Sequence, residues 1–352
     1  MKKNDTKLPT GKLKYDLLDD ILSDFPADDP RVIVGPRIGE DAAVIDIGDR
    51  YLISTADPIT FTAENIGYYA INVNANDIAV RGARPLWFLA TILLPLSSSS
   101  EATARDIFDQ LRAAMTPFGV TLVGGHTEVT EAVSRPVVCG QMLGEVKKDK
   151  LVTTGGAKPG DVVFLTKGIP VEGTAIIAQE KAGALRQKGI REETIERARR
   201  FLFDPGISVV KDALTATGAA PVTSMHDPTE GGLAAGLNEM AMAANVTITV
   251  REDAIPVYPE GRALCDAFGI DPLGTIASGA LLFTAAPAHT AAVEAAFARE
   301  GIPVSAIGLI GEIGQIRNIE VGSSDHVFIV RTNGRTEPLP YRERDEILKV
   351  FE

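Results

Sequence analysis

Three aspartates stand beside short apolar runs in the first quarter of the chain, where they could serve metal or phosphate chemistry. Asp41 precedes Ala-Ala-Val-Ile, Asp57 follows Leu-Ile-Ser-Thr-Ala, and Asp77 stands beside Asn76 in an otherwise apolar segment. Carboxylates are costly to bury unless a cation pairs with them, and Mg²⁺ takes oxygen ligands from a few aspartates while it bridges phosphates. The three positions therefore predict a magnesium-nucleotide site. The alternative is structural, with Asp41 and Asp57 capping turns and Asp77 capping a helix.

A glycine pair and a histidine follow a later strand-like run. Residues 120–123, Val-Thr-Leu-Val, lead directly into Gly124, Gly125, His126 and Glu128. Two glycines at the end of a strand predict a turn that lets the backbone approach a ligand closely. His126 and Glu128 could then bind metal or phosphate, and the alternative for His126 is a hydrogen-bonded turn histidine.

The run Met-His-Asp-Pro-Thr-Glu-Gly-Gly-Leu at 225–233 predicts the opening of a helix that continues to residue 244. Asp227 or Thr229 would cap this helix, with Glu230 in its first turn. A helix opening presents free N–H groups and the positive end of the helix dipole, so it favours an anion such as phosphate. For His226, a structural hydrogen bond is the alternative to a role in chemistry.

Length and charge limit the possible functions. A chain of 352 residues predicts about two domains. The formal net charge of -12 argues against a nucleic-acid partner, which would need clustered Lys and Arg. Cys139 and Cys265 are far apart and predict buried free thiols rather than a metal pair. No run is apolar enough to span a membrane and the first residues contain no leader-like segment, so we expect a cytoplasmic protein without membrane contact.

Apolar periodicity divides the chain into a first half rich in strands and a second α/β half. Residues 42–45, 51–54, 87–94 and 137–146 predict four strands of an antiparallel sheet, whose open edges need covering. Residues 66–80 and 102–115 predict helices. A Gly- and Pro-rich stretch at 153–161 predicts the boundary between domains spanning 1–155 and 156–352.

Five motifs taken together resemble the aminoimidazole ribonucleotide (AIR) synthase superfamily. Their order and spacing are similar over nearly the whole chain. The motifs are Gly-Glu-Asp-Ala-Ala-Val at 39–44, Asn-Asp-Ile-Ala-Val-Arg-Gly-Ala-Arg-Pro at 76–85, Gly-Gly-His-Thr-Glu at 124–128, Gly-Ala-Lys-Pro-Gly-Asp at 156–161 and Asp-Pro-Thr-Glu-Gly-Gly-Leu at 227–233. The superfamily includes the purine-pathway synthase, thiamine-monophosphate kinase, selenophosphate synthetase and the hydrogenase maturation protein HypE.

The resemblance implies a two-domain PurM-like α/β (α+β) fold. Its N-terminal domain would carry a four-stranded sheet that pairs across a homodimer, with a C-terminal α/β domain packed beside it. ATP and Mg²⁺ would lie between the domains, and the γ-phosphoryl group would pass to a substrate oxygen. By position, the implied metal ligands are Asp41, Asp57, Asp77, Glu128 and Asp227. The implied catalytic residues are Asp41, Asp77, His126 and Asp227, and the implied nucleotide-binding residues are Asn76, Gly124, Gly125, Thr229 and Glu230.

Within the superfamily the chain is most similar to the HypE branch, and its N-terminal half also resembles thiamine-monophosphate kinase. HypE ends in Pro-Arg-Ile-Cys, whose thiol takes part in its reaction. Here no cysteine follows Cys265, so we expect no such reaction on the chain's own tail. Three interpretations remain open. The first is an ATP-dependent enzyme that acts on a small amide, phosphate or carboxylate. The second is an accessory protein of metalloenzyme maturation that binds nucleotide and a partner protein. The third is a nucleotide-binding regulator. Residues 60–66, 168–173 and 253–261 are where we expect substrate contacts.

Overall fold

The computed structural model describes residues 8, 11, 13, 15–25, 28–36, 39–60, 62–313, 326–339, 341 and 344–352. Within the described part of the chain, no helix is both long and apolar enough to cross a membrane. The predicted substrate segment 60–66 includes Phe61, which lies outside the described residues.

The first half of the chain forms one mixed sheet with helices on one of its faces. Its elements in chain order are α1 (Tyr15–Leu22), β1 (Val32–Val34), β2 (Ala43–Asp46), β3 (Arg50–Ile59), α2 (Ile66–Ala79), β4 (Arg84–Pro95), α3 (Glu101–Met115), β5 (Thr121–Thr130) and β6 (Val137–Lys147). The strand order is β1-β2-β3-β6-β4-β5. All neighbours are antiparallel except β4 and β5, which run parallel.

The four predicted strands are all present in this sheet. The predicted number of strands is wrong, however, since the sheet has six. β1 adds one edge and β5 adds the other. β5 was predicted only up to residue 123, yet it continues through the glycine pair to Thr130. A Cβ on Gly125 would lie 2.1 Å from the carbonyl oxygen of Ala90 on β4. This glycine therefore permits close approach of a neighbouring strand, and the predicted turn is wrong.

Helix α2 packs closely against the sheet because two glycines of β6 leave room for it. A Cβ on Gly140 would come within 2.5 Å of the Asn74 side chain, and one on Gly144 within 2.4 Å of the Ile78 side chain. Twelve of the fourteen residues of α2 are buried, including its polar residues Asn74, Asn76 and Asp77. The helix therefore carries polar groups into the interior, where they need partners.

The second half of the chain forms a second sheet enclosed by helices. Its elements are β7 (Val162–Thr166), α4 (Val171–Glu180), α5 (Ala182–Gln187), α6 (Glu192–Arg200), α7 (Val210–Ala219), β8 (Val222–His226), α8 (Gly232–Ala244), β9 (Thr247–Arg251), α9 (Pro259–Phe268), β10 (Leu282–Ala285), α10 (Thr290–Glu300), β11 (Val304–Gly311), β12 (Val327–Val330), β13 (Thr336–Pro338) and α11 (Leu348–Phe351). The strand order is β13-β12-β9-β11-β7-β10-β8, and only β9 and β12 run parallel. This is the predicted α/β half.

One buried apolar cluster joins the two halves. It contains Ile71 and Ile78 of α2, Phe88 of β4, and Phe164 and Phe283 of the second sheet. The two phenylalanines of the second sheet stack with ring centroids 4.9 Å apart. The predicted domain boundary after residue 155 falls between β6 and β7, and it stays a prediction.

Candidate functional site

Four predicted aspartates from distant parts of the chain meet where the two halves join. Asp41 lies just before β2, Asp57 lies on β3, Asp77 is in the last turn of α2, and Asp227 directly follows β8. Asp57 is inside its strand rather than at a turn, because β3 continues to Ile59. Asp77 is inside α2 rather than at its N-cap. The capping interpretation of these two residues is therefore wrong.

Short hydrogen bonds hold the N-terminal side of this acid cluster, which we define as Asp41, Asp57, Asp77 and Asp227. The Thr55 hydroxyl lies 2.7 Å from Asp77 Oδ2 and 3.0 Å from the carbonyl oxygen of Asp41. The Asp57 backbone N–H donates to Asn74 Oδ1 at 3.0 Å. Strand β3 and helix α2 therefore fix the carboxylates relative to one another, and sequence reasoning missed Thr55 in this role.

Burial and mutual repulsion make the acid cluster electrostatically unfavourable. Burial first, and then the charges of Asp57 and Asp227, raise the pKa of Asp77 well above its ordinary value. Burial, followed by the charge of Asp41, raises the pKa of Asp227 to about 8. Neither carboxylate oxygen of Asp227 has a hydrogen-bond partner among the described residues, although both are buried. A cation bound among these carboxylates would offset the cost of burial and the mutual repulsion, because it would favour the charged form of the carboxylates.

His226 is buried between two carboxylates. Its Nδ1 lies 3.0 Å from Asp41 Oδ2, and its Nε2 lies 2.6 Å from Glu239 Oε2 on α8. Burial by itself lowers the pKa of His226, but the charges and hydrogen bonds of Asp41 and Glu239 raise it well above the ordinary value. Protonated His226 therefore donates to both acids and fixes Asp41.

Arg81, just after α2, is a second buried cation beside the acid cluster. It is fully buried, forms an ion pair with Glu40, reaches Asp41 Oδ2 at 3.4 Å and donates to Thr154 Oγ1 at 3.0 Å. Sequence reasoning did not assign Arg81 or Glu239. The available signal was a charged residue inside an apolar run, because a buried charge in a folded protein requires a partner.

An all-oxygen donor set fits Mg²⁺. Ligand atoms of Asp41, His226 and Asp227 lie within 4.8 Å of one another. Both ring nitrogens of His226 are engaged by carboxylates, so the groups suited to a metal are the carboxylates. Hard cations such as Mg²⁺ prefer oxygen ligands of this kind. The residues present therefore fit the metal that the sequence predicted.

His126 and Glu128 are not brought into the acid cluster within one chain. Both lie on the edge strand β5, where their side chains are 65% and 48% exposed and 3.1 Å apart. Across the sheet, Gly125 is level with Asp57, with β4 and β6 between their strands. At about 4.8 Å per strand, β5 lies roughly 14 Å from β3. The predicted roles of Gly124, Gly125, His126 and Glu128 therefore stay predictions.

Asn76 links the two halves of the chain. Its side chain is fully buried, donates to the carbonyl oxygen of Ile207 at 2.9 Å, and accepts the backbone N–H of Val209 at 2.8 Å. Both ends of the amide are thus occupied within the chain. Its predicted contact with nucleotide stays a prediction.

The opening of α8 differs from the prediction. Its N-cap is Gly231 with φ of 78°, so Thr229 and Glu230 precede the helix and neither Asp227 nor Thr229 caps it. Instead, Asp345 from the last described segment accepts the backbone N–H of Gly231 at 2.7 Å. Glu230 is exposed and lines a cavity that reaches Asp345. A carboxylate of the same chain therefore takes the N–H of the N-cap residue, and the predicted nucleotide contacts of Thr229 and Glu230 stay predictions.

Family models match both halves of the chain. Residues 39–146 match the AIR synthase related protein, N-terminal domain, and residues 158–317 match the corresponding C-terminal domain. The chain belongs to the AIR synthase related family. The matched ranges contain the whole acid cluster.

Hydrogenase maturation proteins are among the curated relatives. A hydrogenase expression/formation protein of Methanocaldococcus jannaschii is 29% identical over 76% of this chain and 78% of its own length. The carbamoyl dehydratase HypE of Rhizobium leguminosarum bv. viciae is 31% identical over 79% of this chain and 77% of its own length.

Solved structures share the fold. A HypE–HypF complex matches with a TM-score of 0.70 and 23% identity, covering 93% of this chain and 99% of the matched one. HypE in complex with ATP gives a TM-score of 0.66 and 22% identity, covering 94% of this chain and 96% of the matched one. AaThiL complexed with AMPPCP and TMP gives a TM-score of 0.68 and 20% identity, covering 91% of this chain and 93% of the matched one. The PurM-like α/β fold predicted from the motifs is confirmed.

Proposed function

We propose that this chain is a Mg²⁺- and ATP-dependent enzyme that transfers the γ-phosphoryl group to an oxygen of a small substrate. The observation that carries the proposal is Asp227, a buried carboxylate without a hydrogen-bond partner among the described residues, facing other acids across the domain junction. A purely structural junction has no need for buried acids that raise one another's pKa. Relatives crystallised with ATP or AMPPCP support the nucleotide.

Asp41, Asp57, Asp77 and Asp227 would hold Mg²⁺ in this site. The chemistry that the metal supplies is neutralisation of the charge that spreads over the transferred phosphoryl group. His226 and Arg81 hold Asp41 in place from opposite halves of the chain. The Thr55 hydroxyl orients Asp77. Because the acids come from both halves, small movements between the halves would change the fit of the phosphates.

Two relatives suggest different acceptors. HypE is named a carbamoyl dehydratase, which favours an amide-type oxygen as the acceptor in this chain. A thiamine-monophosphate kinase of Archaeoglobus fulgidus, 28% identical over 62% of this chain, favours a kinase-like alternative with a phosphate acceptor. The HypE–HypF complex suggests a further role, in which a maturation partner protein docks on this chain.

Nucleotide binding and turnover can be tested directly. We expect millimolar AMPPCP with Mg²⁺ to raise the melting temperature, because a ligand that binds only the folded state stabilises it. AMPPCP without Mg²⁺ should give a much smaller shift. ATP hydrolysis measured with carboxamides and with thiamine phosphate would then separate the two acceptor classes. No thermal shift with AMPPCP and Mg²⁺ would remove the nucleotide proposal.

We also propose that β5 pairs with β5 of a second copy of the chain. β5 is the outer strand of the first sheet, and nine of its ten residues are exposed. Leu122, Val123 and Val129 expose 39%, 52% and 55% of their surface. A long apolar edge strand is a template for another strand, and a two-fold dimer would cover it.

The dimer can be tested by placing a charge on the exposed edge. We expect light scattering to give a dimer for the unmodified chain and a monomer for Val123→Arg. Leu309→Arg is the matched control, since Leu309 on β11 of the other sheet is 56% exposed. A monomer without any substitution, or a dimer that survives Val123→Arg, would contradict this assembly.

A further inference from the structure

A cavity of about 360 Å³ is lined by residues from both halves of the chain. Its walls include Tyr69 of α2, Ile176 of α4, and Ile276 and Ile347, which give it an apolar body. Glu230 forms part of the wall and is three residues from Asp227. The volume is at the lower end of the range for small-molecule sites, and Glu230 connects the cavity wall along the chain to Asp227 of the acid cluster.

The charged side chains that line the cavity are mostly acidic. Among the described lining residues, Glu180, Glu230 and Asp345 are acids, and Arg135 is the one base. An anionic ligand would meet repulsion from three carboxylates, whereas a cationic ligand would be attracted by them.

A fourth acid lies on the cavity side of helix α4. Glu172, Ile176, Gln179 and Glu180 share one face of α4 at helical spacing, and the last three line the cavity. Glu172 is therefore one turn deeper than Ile176 and is 1% exposed. Its carboxylate interacts electrostatically with Tyr69, Glu230 and Asp345, all of which line the cavity.

The carboxylate of Glu172 is only partly satisfied by hydrogen bonds within the described part of the chain. Oε2 is buried and makes no hydrogen bond within the described residues, while Ser278 bonds the carboxyl group. Burial, as the largest effect, raises the pKa of Glu172 to about 7. A donor group entering the cavity would satisfy this oxygen and favour the charged carboxylate.

We propose that this cavity binds the acceptor substrate, and that the substrate carries an amine- or amidinium-type cation on an apolar body. Glu172 receives the N–H groups of the cation at the floor of the cavity, and Glu180 and Glu230 attract it at the rim. The inference rests on the proposed phosphoryl transfer and narrows its acceptor. Free carboxylates and phosphates are disfavoured, and the oxygen that accepts the phosphoryl group belongs to the end of the molecule near Asp227.

Three probes of nearly equal shape test the charge preference. Benzamidine is cationic, benzamide is neutral and benzoate is anionic at pH 8. We expect isothermal titration calorimetry with Mg²⁺ and AMPPCP present to rank their affinities in that order, with at least roughly tenfold between benzamidine and benzoate. Benzoate binding as tightly as benzamidine, or no binding of benzamidine at about 10 mM, would overturn the inference.

Variants tie the binding to this cavity. Glu172→Gln keeps the shape and removes the charge, and we expect it to weaken benzamidine binding by roughly tenfold or more. Glu180→Gln, at the exposed rim, should weaken it less. Glu294→Gln on α10 removes an exposed acid outside the cavity and serves as the control. Unchanged benzamidine affinity in Glu172→Gln would overturn the assignment.

The thermal shift with AMPPCP and Mg²⁺ separates this inference from the proposed function. A normal nucleotide shift without selective benzamidine binding overturns the cavity assignment and leaves phosphoryl transfer standing. Selective benzamidine binding that Glu172→Gln weakens, without any nucleotide shift, removes the proposed phosphoryl transfer and with it the acceptor role. Both signals together, with the expected effect of Glu172→Gln, support the inference.

Discussion

Two regions of this protein carry acidic residues from the family motifs, and these residues are buried in one region and exposed in the other. Where the two halves join, Asp77 and Asp227 are 5% and 2% exposed, and burial first and then neighbouring acids raise the pKa of each. On β5, His126 and Glu128 are largely exposed and contact each other at 3.1 Å. The junction acids are held by helices and strands from both halves of the chain, whereas the pair on β5 is held by one edge strand.

The difference shows what converts a carboxylate into a binding group. Burial makes a carboxylate's charge unfavourable, so a cation bound there gains more than it would at the surface. An exposed carboxylate is already solvated by water, and an exposed pair contributes little. By this criterion the junction brings buried acids together within one chain, and the β5 pair would gain such an environment only by association with another surface.

The largest expected effect comes from Asp77. Asp77→Asn should leave the ligand-free protein as stable as before or slightly more so, because burial and the charges of Asp57 and Asp227 make a negative charge at this position unfavourable. It should abolish most of the thermal shift with AMPPCP and Mg²⁺ and lower any turnover by about 100-fold or more, since the metal loses a charged ligand. Full nucleotide binding by this variant would remove the metal assignment at Asp77 and weaken it at Asp41 and Asp57.

A second test measures the effect of burial on Glu172. The raised pKa of Glu172, about 7 against 4.5, means that the folded state binds more protons than the unfolded state between these values. Stability is therefore lost as pH rises through this window, by about 3 kcal/mol in all. Urea denaturation at pH 4 and pH 8 should show a loss that is about 3 kcal/mol smaller in Glu172→Gln than in the unmodified protein, because Asp227, with its pKa of about 8, contributes to the loss in both. A slope that Glu172→Gln leaves unchanged would show that the carboxyl group is better solvated than the structure indicates.

A smaller effect is expected at Thr55. Thr55→Val removes a buried hydroxyl that donates to Asp77, and we expect it to lower the free energy of unfolding by about 1–3 kcal/mol. Thr55→Ser keeps the hydroxyl and should retain most of the nucleotide-induced thermal shift that Thr55→Val weakens. Equal shifts in the two variants would show that the orientation of Asp77 does not depend on this bond.

The smallest effect is expected on the edge strand. Glu128→Gln should change the free energy of unfolding by less than about 0.5 kcal/mol, because the carboxylate is half exposed and its contact with His126 is at the surface. Urea denaturation of the variant at low protein concentration provides the measurement. A loss above about 2 kcal/mol at a concentration where the chain is monomeric would contradict the contrast between the two regions.

Local sequence patterns were sufficient for most elements and for the acids themselves. Apolar periodicity predicted α2 and α3, because such signals depend on residues a few positions apart. The order and spacing of the acidic motifs predicted the family and placed Asp41, Asp77 and Asp227 in one site. Each motif also had a simpler local interpretation, such as a cap or a turn, and no single motif could exclude it.

Only the tertiary structure decided which groups surround these acids. His226 lies 185 positions from Asp41 in the chain, and Asp345 reaches Gly231 across 114 positions. The glycines of β5 were predicted as a turn because a sequence shows flexibility but not the neighbouring strand that requires it. Sequence determined which residue types could do the chemistry, and the packing of the two halves determined which of them are buried together, because burial and electrostatic coupling depend on distance in space rather than along the chain.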